Sequence, residues 1–243
     1  MSEANPSTIM LVHGACHGPW CWDRVVPLLE ASGHRVLTPE LPGRGAHGTP
    51  GWWRWTLQDY AKAIVDAAQQ AGGPVIAVGH SMGGQVISAA AEADSGLFER
   101  LVYLSAFLPR NGDSIVSLAA LDKDTDIAQG TSTSLLKGQI KINPDTAHPV
   151  FCGDCSADDF DWVKPRLVAE PARPSFNKLH LSERFGSIPR SYIRCTKDRA
   201  ISIQLQDLMV ENQPCQNVAS LDSSHSPFLS MPREFVAALL SVI

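Results

Sequence analysis

The 243-residue chain carries little charge and no run of basic residues: Lys and Arg number 20, Asp and Glu 25, and charged residues make up 19% of the whole. A nucleic-acid surface needs clustered Lys and Arg to neutralise phosphates, so a net charge of −5 at pH 7 argues against that partner. Also missing is any apolar run near the roughly 20 residues that cross a bilayer. The longest, residues 9–12 and 235–240, are several-fold too short, and no membrane partner is expected. Residues 1–7 lack the basic and apolar stretches of a secretory leader, which makes a cytoplasmic location the expectation. The six cysteines follow no regular spacing and read as free thiols in a reducing compartment. Cys152 and Cys155 have CxxC spacing, but no second pair or HxxxH follows, so no metal site is expected.

What the chain does have is apolar material, 44% of its residues, enough for one large domain or two small ones. No repeat or low-complexity tract is visible. Residues 8–12 form a continuous apolar run that reads as a buried strand. A helix over 20–31, a strand over 34–38, and a helix over 56–71, with Thr56 as N-cap and Gly72-Gly73 as its stop, come next. Strands at 74–78 and 101–105 flank an Ala-rich helix at 85–93. After an interruption, strands at 191–195 and 217–221 and helices at 201–211 and 232–243 resume the rhythm. Alternation of this kind predicts an α/β fold, a mostly parallel sheet of about six strands with helices on both faces. The interruption of about 80 residues is too long for a loop in a compact domain. The expected division is a core of 1–109 and 189–243, with 110–188 inserted as a mostly helical cap.

Gly79-His80-Ser81-Met82-Gly83 matches G-x-S-x-G between a strand and a helix, the context in which a serine is thrust out above a sheet as a nucleophile. A serine hydroxyl needs an adjacent base, itself oriented by a carboxylate, and behind this motif the partners follow as acid and then histidine. Of eight histidines only His225 lies beyond the last strand, which makes it the candidate base. Asp198 follows the strand at 191–195 and is the favoured acid, ahead of Asp222 and Asp207. Two backbone N–H groups must hold the oxyanion: Met82, after the nucleophile, and Ala15, in the loop after the first strand. His13 and His80 are expected to brace loops rather than to react. Gly14, Trp20, Phe107, Trp162 and Phe228 are the candidate pocket residues. The cluster Trp52, Trp53 and Trp55 fits either the pocket mouth or a contact in a homodimer.

These residues resemble the α/β-hydrolase superfamily, in the branch that holds plant hydroxynitrile lyases, plant methyl esterases of the salicylate-binding type and bacterial carboxylesterases such as pyrethroid hydrolases. The similar stretches are HGACHGPWCW at 13–22, SGHRVL at 32–37, GHSMGG at 79–84, YLSAFLP at 103–109, YIRCTKD at 192–198 and SHSPFLSMP at 224–232. The resemblance implies Ser81, Asp198 and His225 as the triad and Ala15 and Met82 as oxyanion donors. The lyases carry Thr or Asn where Gly14 stands, and the Thr type has Lys where Ser226 stands. The expected chemistry is therefore hydrolysis of a small to medium apolar ester, with no metal or organic cofactor. Cyanohydrin cleavage and a receptor-like role with slow turnover are the alternatives. Lactones, thioesters and amides share the acyl-enzyme route.

Overall fold

The structure is a computed structural model that describes residues 7–43, 54–134 and 136–243. In the first half, β1 (Thr8–Val12), α1 (Val26–Ala31), β2 (Arg35–Leu37), α2 (Leu57–Gln69), β3 (Val75–His80), α3 (Gly83–Ala93) and β4 (Phe98–Leu104) alternate as expected. Thr56 caps α2 through a reciprocal pairing with Asp59, satisfying two of the first-turn donors. The helix expected over 20–31 is broken: a 3-10 turn, Pro19–Trp22, precedes α1. Pro27 explains the break, since its ring and missing N–H are tolerated only in a first helical turn.

Between β4 and the next core strand the chain forms α4 (Ile115–Ala119), α5 (Ile127–Gly130), β5 (Thr131–Ser134), β6 (Gln139–Ile142), α6 (His148–Phe151), α7 (Ala157–Val163), β7 (Glu170–Pro171), α8 (Arg173–Phe176) and α9 (Glu183–Gly186). This segment is less helical than expected, because β5, β6 and β7 pair as a small antiparallel sheet. The core resumes with β8 (Arg190–Cys195), α10 (Ile203–Asn212), β9 (Asn217–Leu221), α11 (Pro227–Ser230) and α12 (Pro232–Val242).

The main sheet has the order β2-β1-β3-β4-β8-β9, and every neighbouring pair in it is parallel. Its central strands are apolar on both faces because helices cover both. Met10 and Val12 of β1 join one core with Tyr60 and Ile64 of α2, Val86 of α3 and Met209 of α10. Ile9 and Leu11 face the other core, with Leu29 of α1 and Phe235 and Leu239 of α12. From β2 the chain crosses back over β1 to reach β3, and at such a reversal the loops beyond the strand ends diverge and leave a crevice. No helix among the described residues is long and apolar enough to cross a membrane.

Candidate active site

Ser81 occupies the turn from β3 into α3 with φ of 54°, a left-handed conformation that a non-glycine residue holds only where its surroundings enforce it. The enforcement is visible. Its N–H donates to Leu104 O at 3.3 Å, and its carbonyl accepts from Gly84 N and Phe107 N, each at 3.1 Å. A β-carbon on Gly79 would lie 2.6 Å from Gly83 C, and one on Gly83 would lie 2.6 Å from Val12 O. Only glycine lets the turn close so tightly. Ser81 thus stands at the amino end of an 11-residue helix, where the backbone presents partial positive charge.

Asp198, in the loop after β8, lies beside His225, in the loop after β9. His225 Nδ1 donates to Asp198 Oδ2 at 2.6 Å, and both side chains are almost wholly buried. The second donor to Oδ2 is the Ser105 hydroxyl, from another left-handed residue with φ of 38°. Asp198 Oδ1 accepts from the N–H groups of Ala200 at 2.6 Å and Ile201 at 2.9 Å. Four donors hold this carboxylate in place. Asp222 and Asp207, the rival acids, are instead solvent-facing partners of Lys197 and Arg194.

The loop after β1 is fixed residue by residue. His13 Nδ1 donates to Gly14 O at 2.9 Å, and His17 Nδ1 donates to Ala15 O at 2.8 Å. Cys16 N donates at 2.9 Å to Glu170 Oε2, whose other oxygen accepts from Tyr60 OH at 2.7 Å. Glu170 is fully buried and belongs to β7, so the insertion itself fastens this loop. Cys16 is the third left-handed non-glycine residue, with φ of 62°. His80 Nε2 donates to His225 O at 2.9 Å, which leaves Nδ1 as a bare lone pair facing Gly14. Burial, with His225 and then His17 close by, holds the His80 pKa well below the usual histidine value.

Ser81, Met82, Ala15 and His225 all line one cavity of about 210 Å³. Gly14 and Phe107 join them, as expected from sequence, whereas Trp20, Trp162 and Phe228 are not among its lining residues. Phe228 is fully buried between Trp22 and His80, with ring centroids 4.8 Å from each. Trp20 stacks on His17 and meets Trp162 edge-on, and Arg166 lies over Trp162. Trp52 and Trp53 lie outside the described residues, while Trp55 is half-buried against the core of α2. Cys16, His17 and His80 also line the cavity, and the remaining walls come from the segment between β4 and β8, among them Ile115, Ile127, Ile140, Ile142 and Phe151. Sequence reading missed them because the elements that carry them, α4, α5, β6 and α6, are only four or five residues long, too short for a periodic pattern to stand out. Cys152 and Cys155 are buried free thiols, and contact between the two, together with burial, pushes the Cys155 thiol far above its usual range.

A model of the alpha/beta hydrolase family matches residues 9–239. Methylesterase 9 of Arabidopsis thaliana is 31% identical over 96% of each chain. Salicylic acid-binding protein 2 of Nicotiana tabacum is 30% identical over 96% of this chain and 95% of its own. Among solved structures, a pyrethroid hydrolase from Sphingobium faniae JZ-2 superposes with a TM-score of 0.87 at 27% identity, covering 98% of this chain and 97% of that one. A sheet of this order, a serine on a strained strand-to-helix turn and a family match over nearly the full length lead to one assignment: the chain belongs to the alpha/beta hydrolase family.

Proposed function

We propose that this ester-cleaving hydrolase works through a Ser81–His225–Asp198 triad on small to medium, uncharged carboxylic esters. The observation that carries the reading is the convergence of Ser81 and His225 on one cavity, with Asp198 bonded to the far side of the imidazole. Further support comes from the N–H groups of Ala15 and Met82. Both residues line the cavity, and neither N–H has a protein acceptor among the described residues.

His225 Nε2 takes the proton from Ser81 as Oγ attacks the ester carbonyl, and the Ala15 and Met82 N–H groups stabilise the oxyanion. Asp198 holds the imidazolium that forms. The imidazolium returns its proton to the departing alkoxide, which leaves as alcohol and creates the acyl-enzyme. Water, deprotonated by the same histidine, then releases the carboxylic acid and restores the Ser81 hydroxyl. The names of the relatives, methylesterases and a pyrethroid hydrolase, fit such chemistry.

Gly14 favours hydrolysis over cyanohydrin cleavage. A β-carbon there would stand 2.9 Å from both Ser81 Cβ and His80 Nδ1, so the loop leaves no room for the hydroxyl or amide side chain that the lyases carry. The test is hydrolysis of short p-nitrophenyl esters together with labelling by a fluorophosphonate. Ser81→Ala should abolish labelling and lower turnover on the order of 10⁴- to 10⁶-fold. Retention of full activity in that variant would refute the assignment.

A further inference from the structure

Beyond the oxyanion loop, with Cys16 and His17, and the nucleophile turn, with His80, the cavity wall is hydrocarbon interrupted by three hydroxyls that are not equivalent. Thr131 Oγ1 donates to Ile127 O at 2.8 Å, so its proton is already used. Thr133, two residues along β5 and on the same face, is solvent-exposed and is served by water. Ser175, in α8, is only 4% exposed. Its N–H donates to Ala172 O at 3.1 Å, but its hydroxyl has no hydrogen-bond partner among the described residues. Nor is that oxygen sealed inside protein, since Ser175 opens on the cavity.

The backbone that carries the hydroxyl is anchored. Asn177, two residues on, accepts from Leu57 N at 3.0 Å through Oδ1 and from Gln85 Nε2 at 2.9 Å through its carbonyl. These bonds fasten the end of α8 to the first turns of α2 and α3. A buried hydroxyl with no protein partner is unfavourable until something entering the cavity completes it. Water can do so in the free enzyme. A ligand that fills the cavity displaces the water and must replace its bond, or leave Ser175 unpaired.

We propose that Ser175 is a second recognition point, and that the preferred substrates are neutral esters with a hydrocarbon body and one further uncharged oxygen, a ketone, ether or hydroxyl, placed to meet Ser175 Oγ. The inference deepens the serine-esterase reading and rests on it. No Lys, Arg, Asp or Glu lines the cavity among the described residues, so a hydrogen bond and not an ion pair is the available means of selection.

An oxygen scan tests this. Alkyl esters of one chain length are compared with keto esters in which the ketone moves one carbon at a time, using wild type and Ser175→Ala. In wild type, one ketone position should raise kcat/KM about 2- to 12-fold above the matching plain ester, the range of one neutral hydrogen bond. In Ser175→Ala that ratio should fall to about 1. A flat wild-type profile would overturn the proposal without any variant, and so would a preference that Ser175→Ala retains. If wild type cleaved none of the esters and Ser81 resisted fluorophosphonate, the esterase reading would fail as well, a result distinct from a flat profile among esters that are cleaved.

Discussion

His80 stands inside the nucleophile motif and borders the same cavity, yet its ring serves as a brace: its centroid lies 4.5 Å from that of His225, and its one hydrogen bond among the described residues supports the His225 backbone. Burial keeps it neutral in the folded protein, whereas in the unfolded chain it titrates near pH 6.5. Below about pH 6.5 the unfolded state therefore binds a proton that the folded state refuses. The stability associated with a neutral His80 is complete above that value and is lost as pH falls from there toward the depressed folded pKa, by up to about 1.4 kcal/mol per pH unit. His80→Gln keeps a donor for His225 O and removes the titration. Urea unfolding between about pH 7 and pH 5 should show a shallower loss of stability in this variant, and superimposable profiles would contradict the argument. The strand-end placement of Ser81, Asp198 and His225 is legible in sequence because the motif and the chain order constrain it, and the proposed roles rest on that placement. Ser105 and Glu170 are not legible, since nothing near either residue in the chain marks the 93- and 154-residue separations that their hydrogen bonds to Asp198 and Cys16 span.

At the scale of elements, the insertion is stitched to each of the three loops that form the site. Near the acid, Asp126 N donates to Arg199 O at 2.8 Å, Arg199 pairs with the Asp126 carboxylate, and Thr125 Oγ1 donates to Ala200 O at 2.8 Å. Near the base, Asp154 accepts from Ser224 N at 2.9 Å and from the Ser224 hydroxyl, one residue before His225. At the oxyanion loop, Val168 N donates to Cys16 O at 3.0 Å and Glu170 accepts from Cys16 N. Glu170→Gln should disturb the last of these, because an amide offers one acceptor oxygen to two donors, Cys16 N–H and Tyr60 OH. In the proposed mechanism the Ala15 N–H next door acts mainly on the oxyanion, so kcat should drop about 10-fold or more while KM shifts by less than about 3-fold. A change confined to KM would count against a positioning role. The core strands can be read from their apolar runs, but the β5–β6–β7 sheet cannot: Thr131–Ser134 has no apolar residue, and β7 is two residues long.

For the whole molecule, the distribution of charge matters more than its sum. The chain is acidic overall, yet among the described residues the cavity is lined by no charged side chain apart from what its histidines acquire during turnover. An ester that also carries a free carboxylate must give up its hydration there with no cation in return. Comparing the monomethyl and dimethyl esters of one dicarboxylic acid should show kcat/KM at least about 100-fold lower for the charged monoester, given the several kcal/mol that such desolvation costs. Parity between the two would contradict this picture. The stitching of the insertion also limits how the protein can be remodelled. Cutting out residues 110–188 to obtain a smaller catalyst with an open, permissive face would remove Asp126, Asp154 and Glu170 together. The trimmed sheet would keep Ser81 but lose the stays of the loops that carry Asp198, His225 and Ala15, so broader specificity is better sought by exchanging side chains on this segment than by removing it.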